Sequence, residues 1–143
     1  MAEWPTNKGL LLFEIKNSEM KQTLYLEKPK DTQDKIKFTV KFAFQIDPAH
    51  MSMKEIMDNF NIYFDVGSYN EKKRLYTFFI HKVGTLEIAG NTNVVAAELT
   101  LKIDYKQSYV REATAIAINI TFTDKKDTEN YDPNVINTLI PLV

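Results

Sequence analysis

Alternation of apolar and polar positions dominates this chain. In "KIKFTVKFAFQI", Ile36, Phe38, Val40, Phe42, Phe44 and Ile46 fall on one face, and Lys35, Lys37, Thr39, Lys41, Ala43 and Gln45 on the other. A period of two over that length predicts a long strand with one wet face. Before it, "GLLLFEIK" and "QTLYLEK" read as strands separated by the polar "NSEM". After it the period changes. Met53, Ile56, Met57 and Phe60 recur at i, i+3, i+4 and i+7, the stripe of a short helix. Asp47-Pro48 offers one start for it, and Ser52 with Glu55 three residues on offers a capping box as another.

Further strands are predicted at "NIYFDV" and "RLYTFFIHK", flanking a hairpin loop "GSYNEKK". "GTLEIAGN" reads as a short strand or an irregular crossover. The longest candidates, "NVVAAELTLKIDY" and "YVREATAIAINITF", are joined around "KQS". Read as a hairpin, their core rows are odd (Val95 to Ile103) and even (Ile116 to Phe122). Opposed residues share a face, so the connecting loop must be even in length. A loop Lys106–Tyr109 meets that demand and sets Leu99 opposite Ile116.

The sum is one domain over 1–143: an all-β, antiparallel β-sandwich of jelly-roll type with one short helix, and an apolar C-terminal tail over 131–143. A lipocalin-like barrel is the alternative. Helices are too few for parallel crossovers.

One strand breaks the pattern of a wet outer face. The second row of "EATAIAINITFT" is Ala113, Ala115, Ala117, Asn119, Thr121 and Thr123, small and uncharged. Under the hairpin register Val94 and Ala96 extend the same patch. Either the helix or the tail covers it, or another subunit does; helix-on-sheet layering favours internal cover. The tail, with Val135, Ile136, Leu139 and Ile140, could instead add to a neighbour's sheet. Val94, Ala96, Ala113, Ala115, Ala117, Asn119, Thr121, Val135, Ile136, Leu139 and Ile140 are therefore the candidate interface residues.

Composition narrows the chemistry. Hydrophobic residues make up 44% and charged residues 26%, as in globular domains. The net charge is −1 and the arginines are Arg74 and Arg111 alone, which argues against nucleic acid. There is no cysteine, hence no disulfide, thiolate nucleophile or cysteine-based metal site. The start "MAEWPTNKG" lacks the pattern of a signal peptide, and no apolar run approaches the roughly 20 residues of a membrane helix. A soluble protein made in the cytoplasm is expected, with no membrane partner.

His50 and His81 stand in no ligand spacing, and no GxSxG elbow or phosphate loop is present. Glu98 and Glu112, the carboxylates nearest the small row, point to opposite faces of the predicted hairpin. No enzyme activity and no cofactor are expected. Trp4, Tyr25, Tyr63, Tyr69, Tyr76, Tyr105 and Tyr109 at strand and loop ends could form a sugar-stacking platform, which makes a carbohydrate-binding module the second reading.

The stretch from "RLYTFFIHK" to "INITFTD", with "IAG" and "AAELTL" between, resembles the N-terminal domain of phage baseplate upper proteins and related tail-tip proteins of Gram-positive bacteriophages. The resemblance covers about half the chain. It implies a structural β-sandwich that docks onto other virion proteins and often assembles as trimers, and it carries over no catalytic or binding residue. The leading expectation is thus a non-enzymatic module that assembles with itself or with protein partners, in a phage tail or baseplate.

Overall fold

The computed structural model describes Trp4 and residues 9–49, 51–133 and 136–143, without the side chains of 9–11. His50, Val135 and the start of the chain around Trp4 lie outside the described residues. The strands are β1 (Gly9–Lys16), β2 (Gln22–Thr23), β3 (Lys35–Gln45), β4 (Phe60–Asn70), β5 (Leu75–Gly84), β6 (Glu87–Ile88), β7 (Val94–Asp104), β8 (Ala115–Asp124) and β9 (Ile136–Pro141). Helix α1 spans Met53–Asn59 and α2 spans Ser108–Arg111. The strands pair antiparallel in two sheets, ordered β2-β1-β3-β7-β6 and β5-β4-β8-β9. The fold is an all-β sandwich. Two separate sheets with open edges replace the barrel alternative.

The inner faces are the predicted apolar rows. Val40 and Phe42 on β3, Val95 on β7, Ile62, Phe64 and Val66 on β4, and Ile116 and Ile118 on β8 are fully buried. Rings meet across the sandwich: Phe42 and Phe64 at 5.5 Å between centroids, Phe44 and Phe122 at 6.0 Å. One apolar cluster runs from Ile15 to Leu142. Of the two starts for α1, the capping box is the one used. Ser52 Oγ accepts from Glu55 N–H at 3.2 Å, and Ser52 N–H donates to Glu55 Oε1 at 3.4 Å. Ile56 is driven into the core, with Met53 and Met57 beside it. Among the described helices none is long and apolar enough to cross a membrane.

Four expectations are corrected. The β7–β8 hairpin does not form: β7 pairs with β3 and β6, β8 with β4 and β9, so Leu99 faces Val40 across the ladder and not Ile116. Strands in opposite sheets turn their apolar rows toward one interior just as hairpin partners do, so the parity test cannot separate the two arrangements. The connection contains α2, giving two short helices among the described residues instead of one. The strands β4 and β5 continue through the supposed loop and leave only Glu71–Arg74 as the turn, with Arg74 in the left-handed region.

The tail, lastly, adds a strand to its own sheet. β9 lies beside β8, and Val143 N–H donates to Leu26 O while Lys28 N–H donates to Val143 O. Ile140 is fully buried and Leu142 nearly so.

Candidate functional site

The outer face of the four-stranded sheet collects the groups that the core does not use. Cross-strand register sets its side chains in transverse rows, each read from β5 through β4 and β8 to β9. One row is Tyr76, Tyr69, Ala115, Pro141. The next is Phe78, Gly67, Ala117, Leu139. Then come His81, Asp65, Asn119, Asn137, followed by Val83, Tyr63, Thr121. In the row through Gly67 and Ala117 the large residues, Phe78 and Leu139, stand on the two edge strands, and Tyr69 and Tyr63 rise from β4 to either side of that row. The result is a trough two strands wide.

A β-bulge builds one wall. Phe79 is an extra residue on β5, inserted where Val66 pairs with Ile80 but Gly67 with Phe78. Without it, strict alternation from His81 would place Phe79 and Thr77 outward. The bulge re-aims the strand so that Phe78 and Tyr76 face out, while Phe79 packs against Tyr109 at 5.2 Å. At the bulge the β5 backbone lies so close that a Cβ on residue 67 would sit 2.2 Å from Thr77 O. Only glycine fits there.

Rings border the trough on three sides of its length. Tyr76 and Phe78 stand parallel, 5.9 Å apart and 1° between planes, and Tyr69 tilts against Tyr76 at 4.5 Å. At the far end Tyr131, brought in by its bridge to Thr123, meets Tyr63 edge-on at 5.1 Å. Two hollows open between them and share Asn119. One, of about 520 Å³, lies between Tyr76, Phe78, Asn137 and Leu139 over Ala117; the other, of about 400 Å³, lies between Tyr63, Tyr131, Asp65 and His81.

The polar groups here are few. His81 Nδ1 lies 2.5 Å from Asp65 Oδ1, an ion pair whenever the imidazole is protonated. Thr121 Oγ donates to Asp132 O at 2.9 Å, tying the 125–133 loop over the sheet. Burial, then the hydrogen bond to Tyr131 and the charges of Tyr131 and Asp65, push the Tyr63 phenol from its ordinary 10 up to about 12.

The predicted interface residues divide. Ala115, Ala117, Asn119, Thr121 and Leu139 share this face. Val94 and Ala96 lie on β7 in the other sheet. Ala113 and Ile140 are fully buried, Ile136 packs against the core, and Val135 is outside the described residues. The small row is therefore not capped by α1. It is bordered by its own sheet, with β9 alongside.

Of the tyrosines read as loop residues, Tyr63, Tyr69 and Tyr76 stand on strands at the trough, while Tyr105 and Tyr109 pack against the core and Trp4 lies against Phe60. Phe78, Asp65, Asn137 and Tyr131 were missed. The row Tyr63, Asp65, Gly67, Tyr69 inside "NIYFDVGSY" was the available signal for Asp65 alone.

The carboxylates Glu98 and Glu112 sit on separate elements, Glu98 opposite Lys41 and Glu112 Oε2 3.5 Å from Lys73 Nζ. Among the described residues no three His, Asp or Glu side chains gather as a metal would need. No protein-family model matches the chain, and no curated protein and no solved structure matches it either.

Proposed function

We propose that the chain is a non-enzymatic interaction module that recognises its partner through the outer face of the four-stranded sheet. One observation carries the reading. Across the outward positions of β5, β4, β8 and β9 there is no lysine or arginine, and tyrosine is concentrated instead. Recognition surfaces are poor in lysine and glutamate and rich in tyrosine, because a tyrosine offers large area and a polar tip at low entropic cost. Leu139, at 46% exposed, and Tyr76, at 49%, stand out of the trough walls, where a partner would cover them. The resemblance to baseplate and tail-tip domains supplies a setting, a virion tail in which such a module docks onto other protein chains.

Light scattering after size-exclusion chromatography, on the wild type and on a Tyr76→Lys, Leu139→Lys double variant, tests the reading for self-assembly. A wild-type oligomer that the double variant converts to folded monomer supports it. An oligomer that survives both lysines removes this face from the assembly. A wild type monomeric at all concentrations removes self-assembly and leaves a different molecule as the partner.

A further inference from the structure

We infer that the trough is a binding site for a neutral oligosaccharide, with the sugar rings against Tyr76 and Phe78 and the hydroxyls on Asn119 and Asn137. The inference rests on the reading that this face is the working one, and it names the ligand.

Shape comes first. The trough is concave, and its two hollows of about 520 and 400 Å³ meet at Asn119. Both lie in the size range of small-molecule sites, about 300–1,000 Å³. The walls stand on strands three ladder spacings apart, roughly 14 Å between backbones, which leaves a channel about one sugar ring wide after the side chains are counted.

Chemistry follows. A pyranose has apolar C–H faces and a rim of hydroxyls, each both donor and acceptor. The half-exposed ring of Tyr76 and the partly buried ring of Phe78 beside it offer apolar faces. Asn119 and Asn137, cross-strand neighbours at the junction of the hollows, each offer an amide donor and an amide acceptor. Asp65 with His81 adds a second polar pair on the same transverse row. Charge decides the class of sugar. With no lysine or arginine in the outward rows, and with His81 already paired to Asp65, these rows hold no free cation for a sulfate, phosphate or uronate, so the complementary ligand is uncharged.

The test is calorimetric titration, with amide NMR mapping, of the whole chain against neutral gluco-, manno-, galacto- and N-acetylglucosamine oligomers, and against one sulfated oligomer. Binding of a neutral oligomer is expected, with shifts confined to the outward rows of β4, β5, β8 and β9. Affinity should fall about tenfold in Tyr76→Ala and about fivefold in Asn119→Ala. It should be unchanged in Leu24→Ala, a residue 86% exposed on the β2–β3 connection. Tyr76 is half-exposed, so its variant should fold even where Asn119→Ala does not.

Silence from every neutral oligomer overturns the inference. So does binding only of the sulfated one, or binding that Tyr76→Ala leaves intact. If the sugars fail while the two lysines still dissolve a protein assembly, the saccharide falls and the module reading stands. If both fail, this face is not the working surface.

Discussion

The two sheets bury the same kind of inner face and turn opposite kinds of outer face to the surroundings. Inside, Phe38, Val40 and Phe42 on β3 answer Ile116, Ile118 and Ile120 on β8, and nothing in chemistry distinguishes the layers. Outside, β3 and β7 of the five-stranded sheet pair Lys35 with Asp104, Lys37 with Lys102, Thr39 with Thr100 and Lys41 with Glu98. Lys35 Nζ lies 3.7 Å from Asp104 Oδ1, and the two threonine hydroxyls are 3.1 Å apart. That is a solvated sheet, whose exposed ion pairs are each worth little. The four-stranded sheet has Tyr69 with Tyr76 and Asn119 with Asn137 in the corresponding places. A face that needs only water tolerates almost any polar residue. A face with rings on β5 and β4 around a glycine and an alanine at its centre has a shape to keep.

Substitution at Gly67 breaks that contrast most sharply. Gly67→Ala must push a Cβ against Thr77 O and Phe78 Cα, both backbone atoms, at 2.2 and 2.7 Å. The bulge cannot yield without moving the Phe78 wall, so a loss of about 3 kcal/mol is expected. Glu98→Ala on the other outer face, exposed and opposed only by Lys41 and the β6 side of the sheet, should change stability by no more than about 0.5 kcal/mol. Urea unfolding of the two variants beside the wild type measures both. Equal losses would mean that the trough is no more constrained than the wet face.

A charge placed on matched alanines gives the next effect. Ala96→Lys sets an ammonium across the ladder from Glu87 and should be neutral within about 0.5 kcal/mol. Ala117→Lys must carry its stem out between Phe78 and Leu139 from a site 1% exposed, and should cost about 1–2 kcal/mol even with the head group in water. Thermal unfolding orders the pair. The same lysine fills the larger hollow, so a ligand of the trough should be lost with it.

How far the chain could be read without its structure follows from what alternation encodes. The apolar rows of β3, β7 and β8 and the capping box of α1 are local patterns, and each was legible residue by residue. Partnership is not local. Val95 to Ile103 and Ile116 to Phe122 face one interior whether their strands pair or oppose, which is why the last two strands read as a hairpin. The small row of β8 was visible as an anomaly, but its meaning depended on β5, and β5 hides its outward row behind one inserted residue. "LYTFFIH" carries no glycine or asparagine to mark the bulge at Phe79, so Tyr76 and Phe78 could not be placed beside Ala117 from sequence.

The smallest expected effect lies at the far end of the trough and appears only at high pH. Tyr63 is held protonated up to about 12, first by burial, then by Tyr131 and the negative charge of Asp65. In the unfolded chain the phenol ionises near its ordinary 10. Below pH 10 both states carry the proton, and the contribution to stability is fully present. Between pH 10 and 12 the unfolded state loses its proton while the folded state keeps it, so stability falls as pH rises through that window.

Tyr63→Phe removes the titrating group and leaves the ring against Tyr131, so its stability should fall less steeply than the wild type's over the same interval. Every other group is common to the two proteins and cancels in the difference. Denaturant unfolding of the pair at closely spaced pH values reads it directly. Parallel curves would place the Tyr63 phenol in water, and with it the polar end of the trough.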